Sequence, residues 1–289
     1  MIGFLNINKP SGMSSSAVVS KIKKIANISR VGHMGTLDPM ACGVLPIAVG
    51  KATRMFDYFL DKQKSYSAIF EFGYETDTLD KEGVVVDKTD KIPTLSEIQA
   101  ILPKMLGKIA QMPPKYSAKS VGGVRAYQLA RKGIEVDLKP KTVEIFNISV
   151  SQKSETEYAF DITCSSGTYI RSICRDIAYA VGSLATMTCL QRTNSGVFDI
   201  SDALDLSTLT KDAIEQHLCR VEEVFSKFKT VNVSNDDFRK LANGLVVSID
   251  MPDQKVFIKN DEALLGLANV INGQCKMIVN LYDSMQSDK

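Results

Sequence analysis

The sequence predicts a chain of mixed strands and helices, with a large domain over residues 1–228 and a small β-rich domain over 229–289. Three observations predict it. Ala68, Phe70, Phe72 and Tyr74 alternate with the period of a strand, whereas Val18, Ile22 and Ile25, and Ile170, Ile173, Ile177 and Val181, repeat with the period of a helix. After Phe228 the texture changes to short apolar pieces at 231–233, 245–249, 256–258, 263–270 and 277–281, with Asn-Gly turn signals at 243–244 and 272–273.

In chain order, residues 2–8 read as a strand, Lys9-Pro10-Ser11-Gly12 as a turn, and Ser14, Ser15 or Ser16 as the N-cap of the first helix. Residues 67–74 form a strand, and the acidic stretch ending at Asp90 a hairpin and loop. Thr94-Leu95-Ser96-Glu97 is a capping box opening a helix along Leu95, Ile98, Leu102 and Met105, which Pro103 is expected to kink or end early. Pro113-Pro114 forbids helix, so 115–124 is a loop; 126–132 is a short helix stopped by Gly133. Residues 142–151 and 157–164 read as paired strands, followed by a helix ending at Gly182.

A chain of 289 residues with 44% hydrophobic content can bury a sizeable core. Apolar runs such as 43–49 are too short to span a bilayer, and the N-terminus lacks a basic region with an apolar signal core, so the expected location is cytoplasmic. The six cysteines show no C-x-x-C pair and only two histidines accompany them, which argues against a zinc site or a disulfide framework. Most of the cysteines are expected to be small buried apolar residues.

Charge is unevenly placed. From 104 to 141 nine Lys/Arg stand against Glu135 and Asp137, whereas 75–90 is mostly acidic. Such segregation fits a polyanionic partner and equally a solvated basic face.

The informative stretch is 32–47, where glycines and prolines bracket a lone acid, Asp38, in an otherwise apolar and small-residue run. Pro39 biases Asp38 towards an extended backbone, and a carboxylate in this setting is poorly solvated unless paired. Leu-Asp-Pro alone is weak evidence, because Asp before Pro is an ordinary turn initiator. Gly50-Lys51-Ala52-Thr53 is not a phosphate loop: Gly43 stands too far upstream, and Ala52 takes the place of the magnesium-binding hydroxyl residue.

The strings Asn8-Lys9-Pro10-x-Gly12-x-Ser14-Ser15, Gly32-His33-x-Gly35-Thr36-Leu37-Asp38-Pro39-x-Ala41-x-Gly43-Val44-Leu45-Pro46, Lys64-x-Tyr66, Pro113-Pro114-x-Tyr116-Ser117-Ala118, Arg125-Ala126-Tyr127, Cys164-Ser165-x-Gly167-Thr168-Tyr169-Ile170-Arg171 and Leu190-x-Arg192-Thr193 together resemble the TruB tRNA pseudouridine synthases, in the same order. The resemblance implies an α+β fold, with a mixed, mainly antiparallel central sheet, flanking helices and an RNA-gripping insertion at about 60–130. Leu241-x-Asn243-Gly244 is similar to the opening of a C-terminal PUA-like domain.

The resemblance also implies the chemistry: isomerisation of uridine 55 in the tRNA T-loop, with no metal and no organic cofactor, by a monomer needing no guide RNA. Asp38 is then the catalytic carboxylate, acting as nucleophile or as an acid-base partner of a glycal-type intermediate, and Arg171 its partner. Tyr66 is the active-site tyrosine, stacked on the base. Tyr169 and Leu190 line the same pocket, and Lys9 supports it. His33 fills the space left by the flipped nucleotide. Lys119 and Arg125, with Lys115, Arg131 and Lys132, suit phosphates of the T-stem and loop, and Tyr116 and Tyr127 suit its bases. Ser120 stands where relatives often carry a lysine, which weakens one such contact. Taken singly these residues have duller readings: a strand tyrosine is usually packing, and an arginine opening a helix is usually exposed. A tRNA chaperone tolerant of Asp38→Ala, or an RNA N-glycosylase that releases uracil, are the other classes to test.

Overall fold

The computed structural model describes residues 1–59, 63–117, 120–121, 123–125, 129, 134 and 138–282. Its centre is a ten-stranded sheet whose main path runs Leu204–Asp205, Gly3–Lys9, Cys42–Val49, Ala185–Ser195, Lys64–Phe72, Glu157–Cys164, Lys141–Gln152, Gly107–Gln111. Along this path Gly3–Lys9 is parallel to Leu204–Asp205 and Cys42–Val49 to Ala185–Ser195, while the other neighbours are antiparallel. The expected α+β class, with a mixed and mainly antiparallel sheet, holds.

One face of the sheet carries the helices. Ser14 caps Ser15–Ala26 by accepting from Ala17 N–H (3.1 Å), and Val18, Val19, Ile22 and Ala26 point inward. They join Leu5, Ile7, Leu45 and Ile47 of the sheet in one core with Ile98 and Leu102 of Leu95–Met105 and Ile173 and Ile177 of Ile170–Ala180. The alternate residues Phe4, Val44 and Ala48 leave the other face and enter a second core with Phe59, Phe225, Phe257, Leu267 and Val279.

Those last three belong to a five-stranded sheet, Lys229–Asn232, Gln254–Lys259, Leu264–Ile271, Gln274–Asn280, Val247–Ser248, with the helix Asn235–Ala242. Its other side has a core of its own, built on Phe238, Leu241, Val256 and Ile258. The C-terminal sheet is therefore buried on both faces.

Several expectations need correction. Pro103 lies inside Leu95–Met105 without ending it at that point, the helix running on to Met105. Tyr74 starts a separate short strand, Tyr74–Thr76, because Gly73 (φ 111°) turns the chain. Residues 115–124 contain a small hairpin, Ser120–Val121 with Val124–Arg125. The predicted 126–132 helix lies outside the described residues apart from Leu129. Of the two Asn-Gly pairs only Asn272-Gly273 (φ 49° and 72°) turns a hairpin; Asn243-Gly244 ends the Asn235–Ala242 helix, which the sequence reading lacked. Three cysteines are buried (Cys164, Cys174 and Cys275), not most of them, and all six are free.

Candidate active site

Asp38 sits in the loop between the strands Val31–His33 and Cys42–Val49, and the Lys9–Ser15 turn fastens that loop. Gly12 N–H donates to Pro39 O (2.8 Å), Ser11 Oγ to Met40 O (2.7 Å), and Ser15 Oγ both donates to Leu37 O and accepts from Leu37 N–H (2.9 Å each). Lys9 is fully buried, and its ammonium donates to the carbonyls of Pro10 (2.9 Å), Met13 (2.5 Å) and Pro39 (3.1 Å). Burial pulls its pKa down to about 8, opposed by nearby Cys42 and Asp38, so the lysine is still mostly a cation at neutral pH. On the other side Arg192, buried too, donates to the carbonyls of Val44 (2.7 Å), Thr36 (3.3 Å) and Gly35 (3.2 Å). The loop is thus held by two buried cations on its backbone carbonyls, a rigid mounting for one carboxylate.

Arg171 opens the helix Ile170–Ala180, yet only 5% of its side chain is exposed. Its NH2 lies 3.0 Å from Asp38 Oδ2 and its NH1 3.3 Å from Asp80 Oδ2. The same nitrogens donate to the carbonyls of Tyr116 (3.0 Å) and Thr78 (2.9 Å). Asp80 is itself locked, accepting from Thr78 Oγ1 (2.7 Å) and Glu82 N–H (3.0 Å). Two carboxylates therefore share one guanidinium: Asp80 is buried and structural, while Asp38 is one-third exposed and reachable. Sequence reading passed over Asp80, although Thr78-Leu79-Asp80 before Gly83, with Leu79 at φ 63°, forms a tight polar turn that offered a signal.

A cleft of about 700 Å³ opens beside this pair, lined by Ser14 to Ser16, His33, Thr36 to Pro39, Asp77 to Val84 in part, Tyr116, Ser117 and Arg171. Asp38, Arg171 and His33 are thus brought to one cavity. Burial, then Arg192, lowers the His33 pKa and keeps it neutral, and its Nδ1 is buried without a hydrogen-bond partner. Tyr66 and Leu190 are not among the residues that line the cleft; both are buried in the core to which Leu37 of the Asp38 loop also belongs. Burial raises the Tyr66 pKa in spite of the neighbouring Arg192, so its hydroxyl stays protonated and able to donate. Tyr169 is half-buried, its pKa likewise raised by burial, with Ser117 and then Arg171 pulling the other way. Lys64, nearly buried and with its pKa lowered to about 8 by burial, donates to Ser166 Oγ (3.2 Å). Lys119 lies outside the described residues, and Arg125 is described only as part of the strand Val124–Arg125.

Residues 23–170 match the model of the TruB family pseudouridylate synthase N-terminal domain, more than half of the chain. The chain belongs to the TruB family. TruB relatives include proteins called tRNA pseudouridine synthase B from Clostridium tetani, 40% identical with 86% of each chain covered, and from Francisella philomiragia, 39% identical over 94% of this chain and 92% of that one. Among solved structures, an H/ACA RNP bound to a substrate RNA containing 2'-deoxyuridine matches with TM-score 0.72 and 21% identity, covering 97% of this chain and 85% of that chain. A Cbf5-Nop10-Gar1 complex matches with TM-score 0.71 and 24% identity, covering 97% and 84%. At these identities the two structures show a shared fold.

Proposed function

We propose that this chain isomerises uridine 55 in the T-loop of tRNA to pseudouridine, with Asp38 as the catalytic carboxylate. The observation that carries the reading is the Asp38–Arg171 pair, a reachable carboxylate held at 3.0 Å from a buried guanidinium at the edge of a cleft. The relatives' shared name supports tRNA as the substrate.

The reaction breaks the C1'–N1 bond, rotates the uracil, joins C5 to C1', and moves the C5 proton away while N1 gains one. Asp38 either attacks C1' or accepts a ribose proton on a glycal route. In either case the chemistry uses the carboxylate form, with the Arg171 guanidinium 3.0 Å away to hold it in place. Once the uridine is flipped in, Tyr66 stacks on the base with its protonated hydroxyl near the sugar as a candidate for proton transfer, and Tyr169 and Leu190 support the base pocket. His33 fills the vacated stack. Lys9 holds the Asp38 loop. The basic 104–141 segment, including Lys119 and Arg125, grips the T-stem phosphates. Residues 1–228 form the catalytic domain and 229–289 a PUA-like domain for the acceptor end. The protein acts in the cytoplasm as a monomer without guide RNA; none of its described helices is long and apolar enough to cross a membrane.

The test is position-resolved pseudouridine formation in a T-arm stem-loop, with chelator present, for wild type and Asp38→Asn. Product at the T-loop uridine, lost in Asp38→Asn while RNA binding persists, is expected. Binding without product from folded wild type would transfer the assignment to a chaperone, and release of free uracil would transfer it to a glycosylase.

A further inference from the structure

The helix that presents Arg171 begins without the usual help. Its N-cap is Tyr169, in an extended conformation (φ −99°, ψ 111°), no side chain of its own segment caps it, and its first turn holds no acid. What fixes its start comes from 58 residues away. Gln111, the last residue of the edge strand Gly107–Gln111, is 1% exposed and faces the Tyr169 backbone with both ends of its carboxamide. Gln111 Nε2 donates to Tyr169 O (3.1 Å), and Tyr169 N–H donates to Gln111 Oε1 (2.8 Å). One side chain thus satisfies both backbone polar groups of one residue, as a neighbouring strand would. Among side chains of this length a carboxamide alone offers a donor and an acceptor in that fixed geometry.

The next contacts continue the same seam. Ser172 Oγ donates to Met112 O (2.8 Å), Arg175 NH2 to the same carbonyl (3.2 Å), and Arg171 NH2 to Tyr116 O (3.0 Å). Arg171 stands two residues beyond the clamped Tyr169, and the nitrogen that meets Tyr116 O is the one 3.0 Å from Asp38. The position of the guanidinium against Asp38 is therefore referred to the Gln111–Tyr116 segment as well as to its own helix.

We propose that Gln111 is a positioning residue of the reaction: by clamping the Tyr169 backbone it sets Tyr169 and the Arg171 guanidinium against Asp38. The inference rests on the isomerase reading given above. Gln111→Glu keeps the acceptor for Tyr169 N–H but turns the donor into an oxygen facing Tyr169 O; Gln111→Met keeps the length and removes both bonds. Each is compared with wild type by single-turnover pseudouridine formation at saturating T-arm stem-loop, by RNA dissociation constant and by melting temperature.

The expected result is a rate lower by about 10- to 100-fold, as for supporting residues that orient a reacting group, with Kd within about threefold of wild type. In a double-mutant cycle with Arg171→Lys the losses should overlap instead of multiplying, because the two act through one contact. A mere helix cap would lower the melting temperature and leave the rate of the folded fraction alone. Rates within about threefold of wild type in the folded variants, losses that multiply with Arg171→Lys, or failure of both variants to fold would each overturn the proposal. Wild type that forms no pseudouridine would remove the isomerase reading itself, and this inference with it.

Discussion

Asp80→Asn tests whether the second carboxylate on Arg171 matters. The change is nearly isosteric, and Oδ1 can keep its bonds from Thr78 Oγ1 and Glu82 N–H. What changes is Oδ2, now 3.3 Å from Arg171 NH1, which becomes an amide donor pointing at another donor. Both partners are 5% exposed, so water does not replace the lost contact. A hydrogen bond to a charged group is worth about 1.5–3 kcal/mol, and a fully orphaned buried charge about 3–5 kcal/mol. Arg171 keeps Asp38 and two carbonyls, which places the loss at about 2–3 kcal/mol. For a chain of this size that is a fall in Tm of roughly 3–5 °C. The guanidinium, left with only the Thr78 carbonyl on NH1, then shifts towards Asp38, and a displacement of about 1 Å costs on the order of 100-fold in rate. The assay is a thermal melt alongside single-turnover pseudouridine formation on a T-arm stem-loop. A variant melting within about 1 °C of wild type and reacting within about threefold of its rate would refute the claim that Asp80 holds Arg171.

The remaining predictions concern the mounting of the Asp38 loop. Lys9, with its pKa lowered to about 8 by burial, should give the reaction an alkaline limb near that pH, as its loss of a proton loosens the clamp on Pro39 O; the limb should survive in Lys64→Met. The stability effect has the opposite sign. Between about pH 8 and the ordinary lysine value of 10.5 the unfolded chain holds the Lys9 proton that the folded chain has shed, so wild type should gain melting temperature relative to Lys9→Met across that window. No such gain would show that the lysine keeps an ordinary pKa. Gly43→Ala should be far more damaging than Gly12→Ala although both have positive φ (101° and 84°). A Cβ at Gly43 would stand 2.3 Å from the Arg192 carbonyl, whereas one at Gly12 meets nothing within 4 Å. Equal melting temperatures for the two variants would contradict this account.

Local chemistry was legible in the sequence and distant pairing was not. The Ser14 cap, the Thr94 capping box and the Asn272-Gly273 hairpin each depend on residues within a few positions, and each is present. Asp38 and Arg171 became visible together only through the family motifs, because no spacing rule links positions so far apart. Asp80, Arg192 and Gln111 act through partners in other segments, in two of the three cases through backbone carbonyls, which leave no mark on composition. The strand Cys42–Val49 was missed for a different reason: it is covered on both faces, so its side chains do not alternate between apolar and polar. Its Pro46 lacks the N–H that a central strand normally offers, yet this residue serves through its carbonyl, which accepts from Met34 N–H (2.8 Å).

That strand also answers to two cores. Leu45 and Ile47 point to the helices and Val44 and Ala48 to the aromatic cluster shared with the C-terminal sheet, while the Val44 carbonyl receives Arg192. A single inserted residue would exchange the two sets and carry the carbonyl away from its guanidinium. A segment that reads in composition as a plain apolar run is thus fixed in register from both faces and along its backbone.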